Sequence, residues 1–178
     1  MPDSGQLPAG GRKLKVAFIT TSMIVGGQER VVMDVVNHMD RSRFETALLL
    51  TKGPGPLCDF IQDHVALETD FRRGALGTFR ALPRLISWMK KWKPDCVFTV
   101  GTGDKFFLGR LAAKYLKVPV IISGLHCTPG PEHIGRTILG KWNKKLMGWN
   151  HQVVTVTQDM AEYLAEHENY PRDLTTVI

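Results

Sequence analysis

The sequence predicts a doubly wound α/β fold, a parallel sheet of six or seven strands with helices on both faces. Three observations carry that expectation. Short β-branched and apolar runs recur along the chain, and they are apolar on both faces, as strands covered on both sides must be. Segments with apolar residues at helical spacing separate them. Glycine turns follow several of the strands, where this architecture puts its ligand loops. Composition agrees: 178 residues, 43% hydrophobic and 22% charged, are globular values. Such a chain suits one domain, or one half of a two-domain enzyme.

Residues 1–13, rich in Gly, Pro and polar side chains, are expected to be a disordered tail ahead of a domain over 14–178. They hold no apolar h-region, so no signal peptide is expected. Lys15–Thr20 is a buried strand leading to the turn Val25-Gly26-Gly27. From Gln28 to Met39, the residues Val31, Val32, Val35, Val36 and Met39 share one helical face. Phe44–Thr51 is a strand, broken by Lys52-Gly53-Pro54-Gly55-Pro56. A short helix at Leu57–Asp63 and a short strand at Val65–Thr69 follow. Leu76–Lys91 is helical, with Pro83 starting its regular part or kinking it. Cys96–Val100 is a strand ended by Gly101-Thr102-Gly103, and Asp104 caps a helix that turns Phe107, Leu108, Leu111, Ala112 and Tyr115 inward. Val118–Ile122 is a strand followed by a loop over Ser123–Gly130. Glu132–Trp149 is a helix, Val153–Val156 a strand, and Thr157 caps a helix at Met160–Glu166. Thr175–Ile178 begins one more strand with no helix after it, so a longer chain is expected.

Several functional classes lose support. No GxGxxG follows the first strand and no acid ends the second, so the dinucleotide fingerprint is missing. Walker A and GxSxG are absent. The sequence has no CxxC, HxxxH or HExxH, so no metal site is expected. Three widely spaced cysteines argue for a reducing compartment rather than a disulfide framework. With no apolar run long enough to span a bilayer, a cytoplasmic protein is expected.

The net charge of +6 is local. Residues 71–93 carry Arg72, Arg73, Arg80, Arg84, Lys90, Lys91 and Lys93 with no acid, leaving the rest of the chain near neutral. Such a patch suits a phosphate-bearing partner or is a solvated helix face. Glu132–Trp149 adds Arg136, Lys141, Lys144 and Lys145 beside Trp142 and Trp149. Basic amphipathic helices with tryptophan can lie in a lipid interface. Membrane-facing candidates are therefore Arg72, Arg73, Arg80, Arg84, Lys141, Trp142, Lys144, Lys145 and Trp149, on the inner face of the plasma membrane. A nucleic acid is disfavoured, because no RNA-binding motif is present and the aromatics keep core-like spacing.

Loops at one sheet rim gather the candidate chemistry. Gly26-Gly27 precedes a helix whose free N–H groups and dipole favour an anion. Gly101-Thr102-Gly103 follows a strand. His126, just past a strand end, can hydrogen-bond a sugar hydroxyl or phosphate, or move a proton. Thr157 follows another strand.

The opening KVAFITTSMIVGGQERVVMDVVNHMDRSRFETALLL resembles the start of a family 4 (group 1) glycosyltransferase of the GT-B fold. Its Gly26-Gly27 loop, its Gln28-Glu29-Arg30 helix start, the Asn37-His38-Met39-Asp40 helix end and the Arg43-Phe44-Glu45 strand entry follow the family order. KPDCVFTVGTGDKFFLGRLAAKYLKVPVIISGLHC and VVTVTQDMAEYL are similar to later stretches, and the resemblance runs over about residues 14–178. It implies a Rossmann-like, acceptor-side half of a retaining enzyme. That enzyme would move a sugar from a nucleotide-sugar to an acceptor hydroxyl, lipid-linked or of a cell-envelope glycan, without a metal or other cofactor. It implies a place for Gly26 and Gly27 near the donor diphosphate and a catalytic part for His126 near the reacting sugar; with Gln28 and the rim loops at Gly101, Thr102, Gly103 and Thr157, these glycines are the substrate-binding candidates. The C-terminal donor domain that such enzymes carry is not part of this sequence, so transfer by the chain alone is not expected. The competing reading is a non-enzymatic module of the same fold that binds anionic lipid or nucleic acid.

Overall fold

The computed structural model describes residues 11–69, 77–101, 104–126, 147–168 and 170–178. Among them are seven strands: β1 (Leu14–Thr20), β2 (Phe44–Leu50), β3 (Ala66–Glu68), β4 (Cys96–Val100), β5 (Val120–Leu125), β6 (Gln152–Thr155) and β7 (Thr175–Val177). They form one sheet in the order β3-β2-β1-β4-β5-β6-β7, and every pairing is parallel. The chain first winds outward from β1 to β3, then returns to β4 and winds the other way. The direction reverses between β1 and β4, the point at which this architecture usually binds its ligands, outside the carboxyl ends of the strands.

Four α-helices cover the sheet among the described residues: α1 (Gly27–His38), α2 (Gly77–Trp92), α3 (Asp104–Tyr115) and α4 (Gln158–Glu168). Strand alternation assigns the layers. Val16, Phe18, Leu48 and Leu50 meet Val32 and Val36 of α1 on one face. Ala17, Ile19, Ala47, Leu49, Val97 and Ile121 meet Ala81, Leu85 and Met89 of α2 and Leu108, Ala112 and Ala113 of α3 on the other. A smaller cluster joins Leu125 and Val153 to Met160, Leu164 and Tyr170.

Inside these layers several buried polar groups are paired, whereas the Thr20 and Thr51 hydroxyls are buried with no hydrogen-bond partner among the described residues. Thr99 and Ser123 hydroxyls lie 3.0 Å apart, and Ser123 donates to Asn150 Oδ1 at 2.9 Å, a buried chain joining β4, β5 and the approach to β6. The guanidinium of Arg110, fully buried in α3, hydrogen-bonds Tyr170. At the amino end of the sheet Asp95 accepts from Arg12 at 2.6 and 2.7 Å and from the Lys15 amide at 2.9 Å. The Arg12 hydrogen bond is the largest influence holding the Asp95 carboxyl below its ordinary range. Arg12 falls in the stretch expected as a tail.

Four sequence expectations need correction. Val31 and Val35 were expected on the buried face of α1, but they are 42% and 43% exposed. The i, i+4 pair Val32 and Val36 points at the sheet, and residues one position back are turned about 100° away. Tyr115 was expected inward and is 65% exposed, because α3 ends there. The fifth strand is not Val118–Ile122 but Val120–Leu125. Lys117 turns at φ 55° and the Val118 amide bonds Ala113 O, closing α3, so the strand starts later. Ser123 and Gly124, expected in a loop, instead pair with Thr99 and Val100 of β4. The short helix expected at Leu57–Asp63 is a 3-10 turn over Pro56–Phe60. The helix expected over Glu132–Trp149 lies outside the described residues, apart from a 3-10 turn at Met147–Trp149.

Candidate functional site

The carboxyl rim at the reversal between β1 and β4 is built by the loop after β1. Met23 is fully buried and anchors it, while Ile24 and Val25 at its tip are 56% and 64% exposed. The segment after β2 pins the loop: the Thr51, Lys52 and Leu57 amides donate to Thr20 O, Thr21 O and Met23 O at 3.0, 2.8 and 3.0 Å. Gly55 packs so closely on the Met23 carbonyl and the Ile24 amide that a side chain there would collide with backbone. The Gly-Pro-Gly-Pro run thus shapes the loop leading to Gly26 as well as breaking β2.

Gly26 is the N-cap of α1, in extended conformation, with no side chain to cap the helix. The first helical bond runs from the Arg30 amide to Gly26 O at 3.1 Å. The amides of residues 27–29 therefore point out of the helix end, at its positive pole. A methyl on Gly27 would meet nothing within 4 Å, and Gly27 is exposed with no positive φ. Neither packing nor backbone conformation calls for glycine at that position. A methyl on Gly26, by contrast, would strike the carboxylate of Glu29, which folds back over the helix end.

Gly101, at the end of β4, turns at φ 116°, a conformation that favours glycine. Its Cα faces the Gln28 side chain: a Cβ there would lie 3.4 Å from Nε2. Gln28 thereby bridges the first turn of α1 to the loop after β4. His126, half-buried, follows β5 directly. Burial moves its pKa below the ordinary 6.5, and the Glu29 carboxylate opposes that shift. Burial thus favours the uncharged imidazole of His126, and the Glu29 carboxylate of α1 favours the charged one.

The structure thus brings Gly26, Gly27, Gln28, Gly101 and His126 to one rim. Glu29 joins them. The capping spacing of Glu three residues after the N-cap is the signal that marks it in the sequence. Thr157 sits at the same rim, but its hydroxyl is engaged, accepting from the Met160 amide at 3.1 Å as the N-cap of α4. β6 is three strands from β1, roughly 14 Å at the usual strand spacing. Thr102 and Gly103 lie outside the described residues.

The basic candidates divide differently. Arg72, Arg73, Lys141, Trp142, Lys144 and Lys145 lie outside the described residues, as does the side chain of Arg80. Arg84 is exposed on α2, while Trp88 and Trp92 stack on each other at 4.9 Å and pack on the core. Trp149 is half-buried, with Lys114 Nζ 5.7 Å from its ring centroid. Lys90 and Lys93 line, with Lys117, a cavity of about 250 Å³ beside Pro94 and Pro119. Those prolines precede β4 and β5, so that cavity opens at the amino end of the sheet, opposite the glycine loops. Among the described residues no helix is long and apolar enough to cross a membrane. Burial pushes the Cys96 thiol up to about 11, which makes it a packing group rather than a nucleophile.

Known structures share this fold. The chain is similar to Anabaena HepE in complex with UDP and glucose, with a TM-score of 0.70 and 20% identity over 93% of this chain and 44% of that one. It is similar to a glycosyltransferase from Rickettsia africae, with a TM-score of 0.67 and 14% identity over 94% and 43%. A UDP-GlcNAc 2-epimerase from Neisseria meningitidis bound to UDP-GlcNAc gives 0.62 and 16% over 93% and 45%. At these identities the likeness is one of fold, and the chain spans less than half the length of the three solved structures. No curated protein matches the sequence. Residues 25–178 match the model of Glycosyltransferase Family 4. That match covers most of the sequence, from the glycine loop through the last strand, and the chain belongs to Glycosyltransferase Family 4.

Proposed function

We propose that this chain is the acceptor-side half of a retaining glycosyltransferase that moves a sugar from a nucleotide-sugar to an acceptor hydroxyl. In this reading the donor's phosphates approach the open end of α1 over Gly26 and Gly27, and His126 stands beside the reacting sugar. Gln28 and Gly101 shape the floor of the cleft, and Thr102 and Gly103 remain candidates from the sequence. The observation that carries the reading is Gly27. Within a helix, alanine is favoured over glycine by about 1 kcal/mol, and a methyl at Gly27 would find open space. The missing side chain serves whatever comes from outside, and a helix end with projecting amides suits a phosphate. UDP in the HepE complex and UDP-GlcNAc in the epimerase are consistent with that ligand class.

The chemistry asked of these residues is electrostatic. As the bond from the sugar to the diphosphate breaks, negative charge grows on the leaving oxygen, and fixed amides at a helix N-terminus stabilise it without reorganising. His126, whose uncharged form burial favours, holds a sugar hydroxyl or takes the acceptor's proton. A second half supplies the remaining donor contacts, so the chain alone is expected not to transfer sugar. The acceptor is proposed to be lipid-linked or part of an envelope glycan, with the basic segments of the sequence at an anionic membrane surface.

The test is His126→Ala in the enzyme that carries both halves. Loss of about 10²-fold or more in kcat is expected, the scale of a positioned acid–base or electrostatic group. Unchanged kinetics would reduce His126 to a loop residue.

A further inference from the structure

We propose that the cavity of Lys90, Lys93 and Lys117, at the amino end of the sheet, is a second anion site of this domain and takes a terminal phosphate group. It is independent of the glycine loop at the other end, and the failure of either reading leaves the other intact.

Two helix ends assemble this cavity. Lys90 lies in the last turn of α2, Lys93 follows that helix, and Lys117 follows α3. All three line one space of about 250 Å³, together with Met89, Pro94 and Val118, which are buried. A hollow with charge of one sign and apolar walls focuses its field on an ion of the other sign. Among the described residues no acid lines it. Asp95, next to Pro94 in the chain, is engaged by Arg12 at 2.6 and 2.7 Å and by the Lys15 amide at 2.9 Å. The carboxyl poles of the two helices bring roughly half a negative charge each, which leaves three ammonium groups with an excess of about two positive charges. A phosphate monoester carries about that charge with the opposite sign at neutral pH.

Lys93 and Lys117 stand where another residue would fit the backbone better. Both are left-handed, at φ 56° and 55°, just past a helix, where glycine is the usual choice. The helix dipole favours lysine near a carboxyl end, but Lys90, Lys91 and Lys114 already fill the last turns of α2 and α3. The two further lysines crowd like charge onto one spot, and both line the cavity. An anion from outside would relieve that crowding.

The donors and the size narrow the ligand. The Lys93, Lys117 and Val118 amides are spent on the Met89, Lys114 and Ala113 carbonyls, so the ammonium groups do the binding, as point charges. The volume falls below the ~300–1,000 Å³ of a site for a drug-sized ligand. It suits a phosphate group on a short stem rather than a whole nucleotide.

The experiment uses this chain, wild type, Lys93→Gly, Lys117→Gly and Lys90→Gln. Glycine accepts the left-handed backbone without strain, and Lys90→Gln touches neither special position, so a loss of binding is not a loss of fold; thermal melting of each variant checks this. At constant ionic strength, inorganic phosphate is titrated and backbone amide shifts are followed. In parallel the chain is sedimented with phosphatidylcholine vesicles, with and without phosphatidic acid. The expected result is saturable shifts around residues 90–93 and 117–118, or pelleting that requires phosphatidic acid. Each variant should bind at least about fivefold more weakly, the factor one charge at ~4 Å contributes even in bulk water. Shifts with free phosphate identify a soluble ligand, and pelleting without them identifies a lipid headgroup. Binding in neither arm overturns the proposal. So does binding that the three variants keep at full strength, because other basic residues would then account for it.

Discussion

Replacing Gly27 with alanine separates folding from function at a single atom. The site is the first residue of α1, it is exposed, and a Cβ there finds nothing within 4 Å. Alanine at a compatible glycine stabilises by about 0.4–1 kcal/mol, chiefly by restricting the unfolded chain. At ~2–4 °C per kcal/mol for a domain of this size, Tm should rise by roughly 1–4 °C. Catalysis should move the other way. The methyl would stand over the helix end, where phosphate oxygens must come within ~2.7–3.1 Å of amides to be stabilised. A displacement of ~1 Å costs on the order of 10²-fold in rate, so kcat/KM of the two-half enzyme should fall by about that factor. Thermal melting of this chain and steady-state kinetics of the full enzyme read the two effects separately. A raised Tm with unchanged kcat/KM would refute the idea that glycine is kept for a ligand, and a lowered Tm would refute the packing argument itself.

Two further substitutions test how the rim is supported. Gly109→Ala should destabilise although alanine is the better helix former. The added Cβ would sit 2.8 Å from Thr99 Cγ2 and 3.2 Å from Ile19 Cδ1, and overpacking of about 1–3 kcal/mol outweighs a propensity gain of about 1; a higher melting temperature would show that α3 can move off the sheet. Ser123→Ala removes the hydroxyl that links Thr99 to Asn150 at 3.0 and 2.9 Å. Two hydrogen bonds at about 0.5–1.5 kcal/mol each put the loss near 1–3 kcal/mol in denaturant unfolding, and a change under about 0.5 would mean the chain of hydroxyls contributes nothing.

The fold was legible because a parallel sheet writes its strands as apolar runs and its helices as periodic ones. β1, β2 and β4 stand within a residue or so of where the sequence puts them. Errors arose where two physical signals compete. Ser123-Gly124 reads locally as a loop, yet β4 and β6 flank it and Asn150 takes the serine hydroxyl, so tertiary pairing overrides composition. The adjacent pairs Val31-Val32 and Val35-Val36 define a face too broad to say which member is buried, and the sheet selects the second of each. At the rim, Gly26, Gly27 and Gln28 could be singled out because a glycine pair before a helix has a physical meaning. The contact of Gln28 with Gly101 could not, since it depends on how two loops separated by about seventy residues diverge. Gly55 shows the same limit: it reads as a turn residue, and only the fold reveals that it backs the loop after β1.

The central claim is that the carboxyl rim between β1 and β4 is where this domain meets the donor's phosphates. Titrating UDP into the isotopically labelled chain and following backbone amides tests it most directly. The account predicts that the largest shifts fall on Gly26, Gly27, Gln28, Gly101 and His126. A rival anion site among the described residues is the cavity of Lys90, Lys93 and Lys117 at the opposite end of the sheet. Shifts concentrated there, with the glycine loop silent, would contradict the account.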